Sequence, residues 1–82
     1  PLLVKLVNIS TTGIGIHRAE PFEVGTVLTI QVHSHDEKPL LRRKARVVHA
    51  TEQVNGTWIV GTRLLKPLTE AEFQDVIEGA LT

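Results

Sequence analysis

The Asn55-Gly56 step constrains this chain more than any other feature. It sits between two runs of β-forming residues. An Asn-Gly pair in that setting is a hairpin turn, because both central positions of a two-residue loop need positive φ. A long strand from about Leu40 to Gln53 therefore folds back on one that begins near Trp58. With a two-residue loop Val54 faces Thr57, Thr51 faces Val60 and Val47 faces Leu64. Ala45, Val47, His49 and Thr51 then share a face with Trp58, Val60, Thr62 and Leu64, and that face is assigned to the core. The other face is mixed, with Val48, Ala50, Val54, Ile59 and Leu65 among Arg46, Glu52 and Arg63. Another domain or a second copy is expected to cover part of it.

The rest of the chain reads as shorter strands and one helix. Leu2 to Val7 and Gly13 to His17 are strand-like, and Thr26 to Val32 alternates with Leu28, Ile30 and Val32 on one side. Phe22, in the Pro21–Gly25 loop, is expected to fold back over one end of the core. His33 to Pro39 is polar and reads as a loop. Thr69 and Glu72 spell a capping box, with Leu68 and Phe73 placed as a hydrophobic staple. Phe73, Val76, Ile77, Ala80 and Leu81 recur at helical spacing, an apolar stripe that should close an open end of the sheet or dock on a neighbour.

Between the first two strands stands Asn8-Ile9-Ser10-Thr11-Thr12-Gly13, an amide, three hydroxyls and a glycine in six residues. Asn and Ser side chains bond nearby backbone groups, and Gly13 is free to take a positive φ. The stretch reads either as a turn whose polar groups satisfy one another or as a donor and acceptor platform facing a planar ligand.

Eighty-two residues make one small domain, and 41% apolar residues suffice for a core. Nine Lys and Arg balance nine Asp and Glu, so the surplus positive charge that a nonspecific DNA or RNA binder needs is missing. No apolar run approaches the roughly 20 residues of a membrane span. Without cysteine there is no disulfide, thiolate metal site or cysteine nucleophile. His33 and His35 near Asp36 and Glu37, with His17 and His49 distant in sequence, fall short of the three or four converging ligands of a zinc site, so no metal is expected. No catalytic residues are assigned: Ser10 has no base, and Gly13-Ile14-Gly15 lies in a strand instead of before a helix. A chain starting at Pro1 is expected to be a piece of a longer one.

Taken in order, Asn8-x-Ser10-x-x-Gly13, the Ile-Gly-Ile strand, Ala45-Arg46-Val47-Val48-His49 and Trp58-Ile59-Val60-Gly61-Thr62-Arg63-Leu64 before a terminal helix resemble the PilZ domain, the bacterial cyclic di-GMP receptor module, over essentially the whole chain. Asn8, Ser10 and Gly13 match its (Asp/Asn)-x-Ser-x-x-Gly motif. Gly61 and Leu64 match its late Val-Gly-x-x-Phe pattern, with Leu in place of the aromatic. The resemblance implies an all-β fold, a small antiparallel β-barrel of five to six strands, spanning 1–82 with one C-terminal α-helix at about 69–81. It also implies a noncatalytic, cytoplasmic regulatory module that needs no cofactor, passes its signal to an attached domain or another protein, and does not insert into a membrane.

By the same resemblance Asn8 and Ser10 would hydrogen-bond guanine and Gly13 would permit close approach, with Gly61 ligand-adjacent. Trp58, the single Trp, reads first as a core or barrel-rim residue and second as a ligand-stacking one. The family's Arg-x-x-x-Arg segment, which grips phosphate, lies upstream of that turn. Only Lys5 is cationic among residues 1–7, and Arg42 and Arg46 fall later, on the outward face of a strand. Two missing charged anchors would cost on the order of 3–6 kcal/mol, about two to four decades in affinity. The resemblance thus leaves two expectations: a sensor completed by upstream arginines, or an adaptor working by protein contact through Val48, Ile59 and Arg63.

Overall fold

The computed structural model describes residues 5–80, the Ala80 side chain excepted. Leu2 to Val4 of the first expected strand and Leu81 of the helical stripe lie outside the described residues. The elements follow in the order β1 (Lys5–Ile9), β2 (Gly13–Arg18), β3 (Val27–His33), β4 (Pro39–Glu52), β5 (Trp58–Leu64) and α1 (Glu70–Ala80). All pairings are antiparallel and the sheet order is β1-β2-β5-β4-β3. With 14 residues, β4 pairs with β3 along its first part and with β5 along its second. Twist curls the five strands into a half-barrel, open between β1 and β3 among the described residues. The fold is the small antiparallel barrel with a C-terminal helix that the sequence implies.

The concave face holds the core: Ile14 and Ile16 of β2, Val32 of β3, Leu41, Ala45 and Val47 of β4, and Val60 and Leu64 of β5. Leu68 and Val76 close it from the helical side, with Phe22 and Phe73 packed against its margin. The capping box forms as written: Glu72 N donates to Thr69 Oγ1 at 3.1 Å and Thr69 N to Glu72 Oε1 at 3.0 Å. Glu72 also pairs with Arg43 of β4, fixing α1 to the sheet. Pro39, expected in a loop, instead opens β4 at its edge, where a residue without an N–H is tolerated.

The hairpin departs from the expected register. Gly56 N donates to Gln53 O at 3.0 Å and Gln53 N to Thr57 O at 2.7 Å, so the loop is Val54-Asn55-Gly56. Gly56 has φ of +82° and Asn55 is not in the left-handed region. A three-residue loop of this kind joins a type I turn to one left-handed residue. Glu52 thereby faces Trp58, Thr51 faces Ile59 and Ala50 faces Val60. A second shift falls at Val48, where β4 bulges, so that His49 faces Gly61, Val47 faces Thr62 and Ala45 faces Leu64. One residue inserted in a period of two exchanges the faces beyond it. His49 and Thr51, expected in the core, are exposed, and Ala50, expected outside, packs against it.

Candidate functional site

β1 continues to Ile9, so Asn8 is a strand residue and the turn proper is Ser10 to Gly13. Ser10 N donates to Gly13 O at 2.9 Å. Ser10 Oγ accepts from Thr12 N at 3.2 Å and Gly13 N at 3.1 Å. Leu64 N and Leu68 N bond the Thr12 and Thr11 carbonyls, both at 2.8 Å, and tie the turn to the end of β5 and the approach to α1. The acceptor capacity of Ser10 is thus spent on its own turn. Gly13, free to take a positive φ, does not use that freedom: among the glycines only Gly25 and Gly56 do. It is glycine because the β5 backbone comes close, a Cβ there lying 2.6 Å from Thr62 O.

Asn8 differs from Ser10. Its side chain is exposed, makes no hydrogen bond to any described residue, and lies over Gly15, where a Cβ would stand 2.8 Å from Asn8 Oδ1. A bulge at Val7 turns Leu6 and Ile9 inward and Asn8 outward. Gly15 pairs with Gly61, and Gly61 with His49, whose imidazole fills the space a side chain at 61 would need. Asn8, Gly15, Gly61 and His49 therefore form one row across four strands on the convex face, two polar side chains laid over two bare backbones. The sequence reading did not place His49 here. Isolated glycines at 15 and 61 inside strands were the available signal, since they mark bulges or close approach.

The neighbouring row carries charge. Arg46 faces Arg63, and Arg63 faces Gly13. Ile59 and Arg63 flank Gly61 on the same face, so the candidate interface and the candidate ligand residues share one surface. Val48, 43% exposed, is the bulged residue. Trp58 lies elsewhere, half-buried against the core and facing Arg18 and Glu52. On the next row His17 Nε2 lies 2.7 Å from Thr57 Oγ1, which donates to Asn55 Oδ1 at 2.6 Å. The hydroxyl has one proton, so His17 is the donor. A shallow hollow of about 450 Å³ opens there between His17, Ile59 and the hairpin tip.

His33 ends β3 and His35 stands in the following loop. Asp36 is engaged by Ser34, whose hydroxyl bond is the main cause holding that carboxyl below the usual carboxylate range, and by Lys38 Nζ at 3.6 Å.

Asn8 and His49 thus lie over a glycine floor beside the Asn-x-Ser-x-x-Gly turn, with the Asn8 carboxamide unpaired among the described residues. The family model that matches the chain is the PilZ domain, over residues 1–81. The chain belongs to the PilZ family. No curated protein and no solved structure matches it. PilZ domains are noncatalytic regulatory modules of a cyclic di-GMP-binding family. In this PilZ domain the motif residues separate into two roles: Ser10 and Gly13 build the turn, while Asn8 and Gly61 lie on the open row. Among the described residues no helix is long and apolar enough to cross a membrane.

Proposed function

We propose that this PilZ domain acts in its native-length protein as a cytoplasmic cyclic di-GMP sensor that relays the signal to an attached or partner protein. Asn8 reads the guanine edge, Ser10 and Gly13 hold the turn that aims it, and an arginine segment preceding residue 1 supplies a phosphate grip. The observation that carries the reading is the Asn8 carboxamide, exposed and without a hydrogen-bond partner among the described residues. An amide offers both an acceptor and donors to a purine edge. Isothermal titration of cyclic di-GMP into the native-length chain tests it. Asn8→Ala is expected to weaken binding about ten-fold or more, because the base edge loses its partner in a desolvated contact. No heat and no competition from a native-length chain bearing both arginines would refute the sensor.

A second reading, an adaptor that binds protein and no nucleotide, is favoured by exposed apolar side chains on and beside the same surface. Val48 is 43% and Leu65 52% exposed, with Ile59 half-buried between them and the hairpin tip. Ile59→Asp should then abolish association with the partner or with a second copy while the fold persists. Unchanged association counts against that face.

A further inference from the structure

We propose that Arg46 and Arg63 form an anion clamp that holds a phosphodiester of the ligand, a grip supplied by the barrel itself and separate from any upstream arginine segment. The inference rests on the cyclic dinucleotide reading of Asn8. The two guanidinium side chains stand directly opposite in the β4–β5 ladder. Like charges so placed repel and weaken a sheet. Among the described residues no carboxylate is paired with either. The outward neighbours in their row are Val27 and Gly13, and the outward positions two residues back are Lys44 and Gly61. Arg63 has no partner among the described residues, and Arg46 makes only a 3.4 Å contact to the Gly25 carbonyl. Arg43, on the opposite face, is paired with Glu72.

An uncompensated pair of this kind is stabilised by an external anion, and the planar forks of two arginines suit a phosphodiester. Beside Arg63, Gly13 carries no side chain, and the space over Gly61 holds the exposed His49 ring. The pair sits one row from Asn8, about 6.7 Å along the strands, with Arg63 two strands and Arg46 three strands across the sheet, roughly 10 and 14 Å. A cyclic dinucleotide whose base meets Asn8 and whose ring extends across β2 brings a phosphate toward the arginines. A cyclic dinucleotide has two phosphodiesters, and the clamp takes one.

The test uses the native-length chain as wild type, Arg46→Ala, Arg63→Ala and Arg63→Glu, with cyclic di-GMP affinity and the urea midpoint both measured. Each alanine variant should weaken binding about ten-fold or more, and Arg63→Glu about a hundred-fold. Arg63→Glu should at the same time raise the unfolding midpoint, because a repelling pair becomes an attracting one. A residue needed only for folding would lower it. Unchanged affinity in all three variants overturns the clamp and leaves the role of Asn8 standing. If the wild type binds no cyclic di-GMP, inorganic pyrophosphate decides between the two ideas. Shifts of the Arg46 and Arg63 side-chain NMR signals that vanish in Arg63→Glu would keep the clamp while the dinucleotide reading falls. No shift would overturn both.

Discussion

A methyl group added at Gly13 would sit 2.6 Å from the Thr62 carbonyl oxygen, whereas at Gly61 it would meet only the His49 ring. The difference is one of compliance. The Thr62 carbonyl belongs to a ladder between two central strands, but His49 is exposed and its ring can swing outward. Gly13→Ala should therefore cost about 1–3 kcal/mol, the usual penalty for forcing backbone apart in a packed region. Gly61→Ala should cost less than about 1 kcal/mol while displacing the His49 ring. Urea unfolding of the two variants, with the imidazole signals of the second followed by NMR, separates them; equal losses of stability would contradict the assignment. The sequence marked Gly13 for its backbone freedom, yet its reason is a neighbouring strand. A φ angle is set within one residue, but the approach of Thr62 depends on a contact 49 positions away along the chain.

Helix α1 was legible almost residue by residue, because a capping box is a local object: Thr69 and Glu72 are close enough to bond each other before any tertiary contact forms. Thr69→Ala should lower stability by about 1 kcal/mol in thermal or urea unfolding. What the local pattern did not contain is Arg43, which binds the same carboxylate from β4. The backbone bond from Thr69 and then Arg43 hold the Glu72 carboxyl below the ordinary glutamate value of 4.5. A lowered folded value means that the unfolded chain takes up the proton first. The contribution is then fully present above the ordinary value and is lost as pH falls through the folded one. Unfolding measured between about pH 6 and about pH 3 should show a loss that is smaller in Glu72→Gln, since glutamine keeps the cap acceptor but cannot titrate. Equal acid sensitivity in both proteins would exclude Glu72 as a source. The β4–β5 hairpin failed at the same scale for a related reason. Asn-Gly announces a turn, but the choice between a two-residue loop and a three-residue loop with one left-handed glycine, and the added bulge at Val48, go with the register that buries Ala50 and lays His49 over Gly61.

Across the whole molecule a chain of zero formal charge divides into two surfaces of opposite character. Lys5, Arg42, Lys44, Arg46 and Arg63 lie on the convex face with His17, His33 and His49, and no strand position of that face is acidic among the described residues. The acidic residues occupy the loops, the end of β4 and α1. Binding of a phosphate-bearing ligand to the convex face should weaken as salt rises from about 50 to about 200 mM, through screening of those cations. Asp75→Asn on the exposed side of α1 should leave both the affinity and its salt slope unchanged; a titration series at several salt concentrations checks both, and a flat dependence would argue against the convex face.

Net charge from composition spoke only to a nonspecific nucleic-acid binder and could not show the cationic face, because composition has no sidedness. The sequence by itself determined the strand content, the capped helix, the family motif and the polar character of the turn, since each is written within a few neighbouring residues. Only the tertiary structure decided that Ser10 serves its own turn while Asn8 stays free, that His49 faces outward, and that Arg46 meets Arg63. Those outcomes depend on register and on two single-residue bulges, and in a sheet one inserted residue reverses every side chain beyond it.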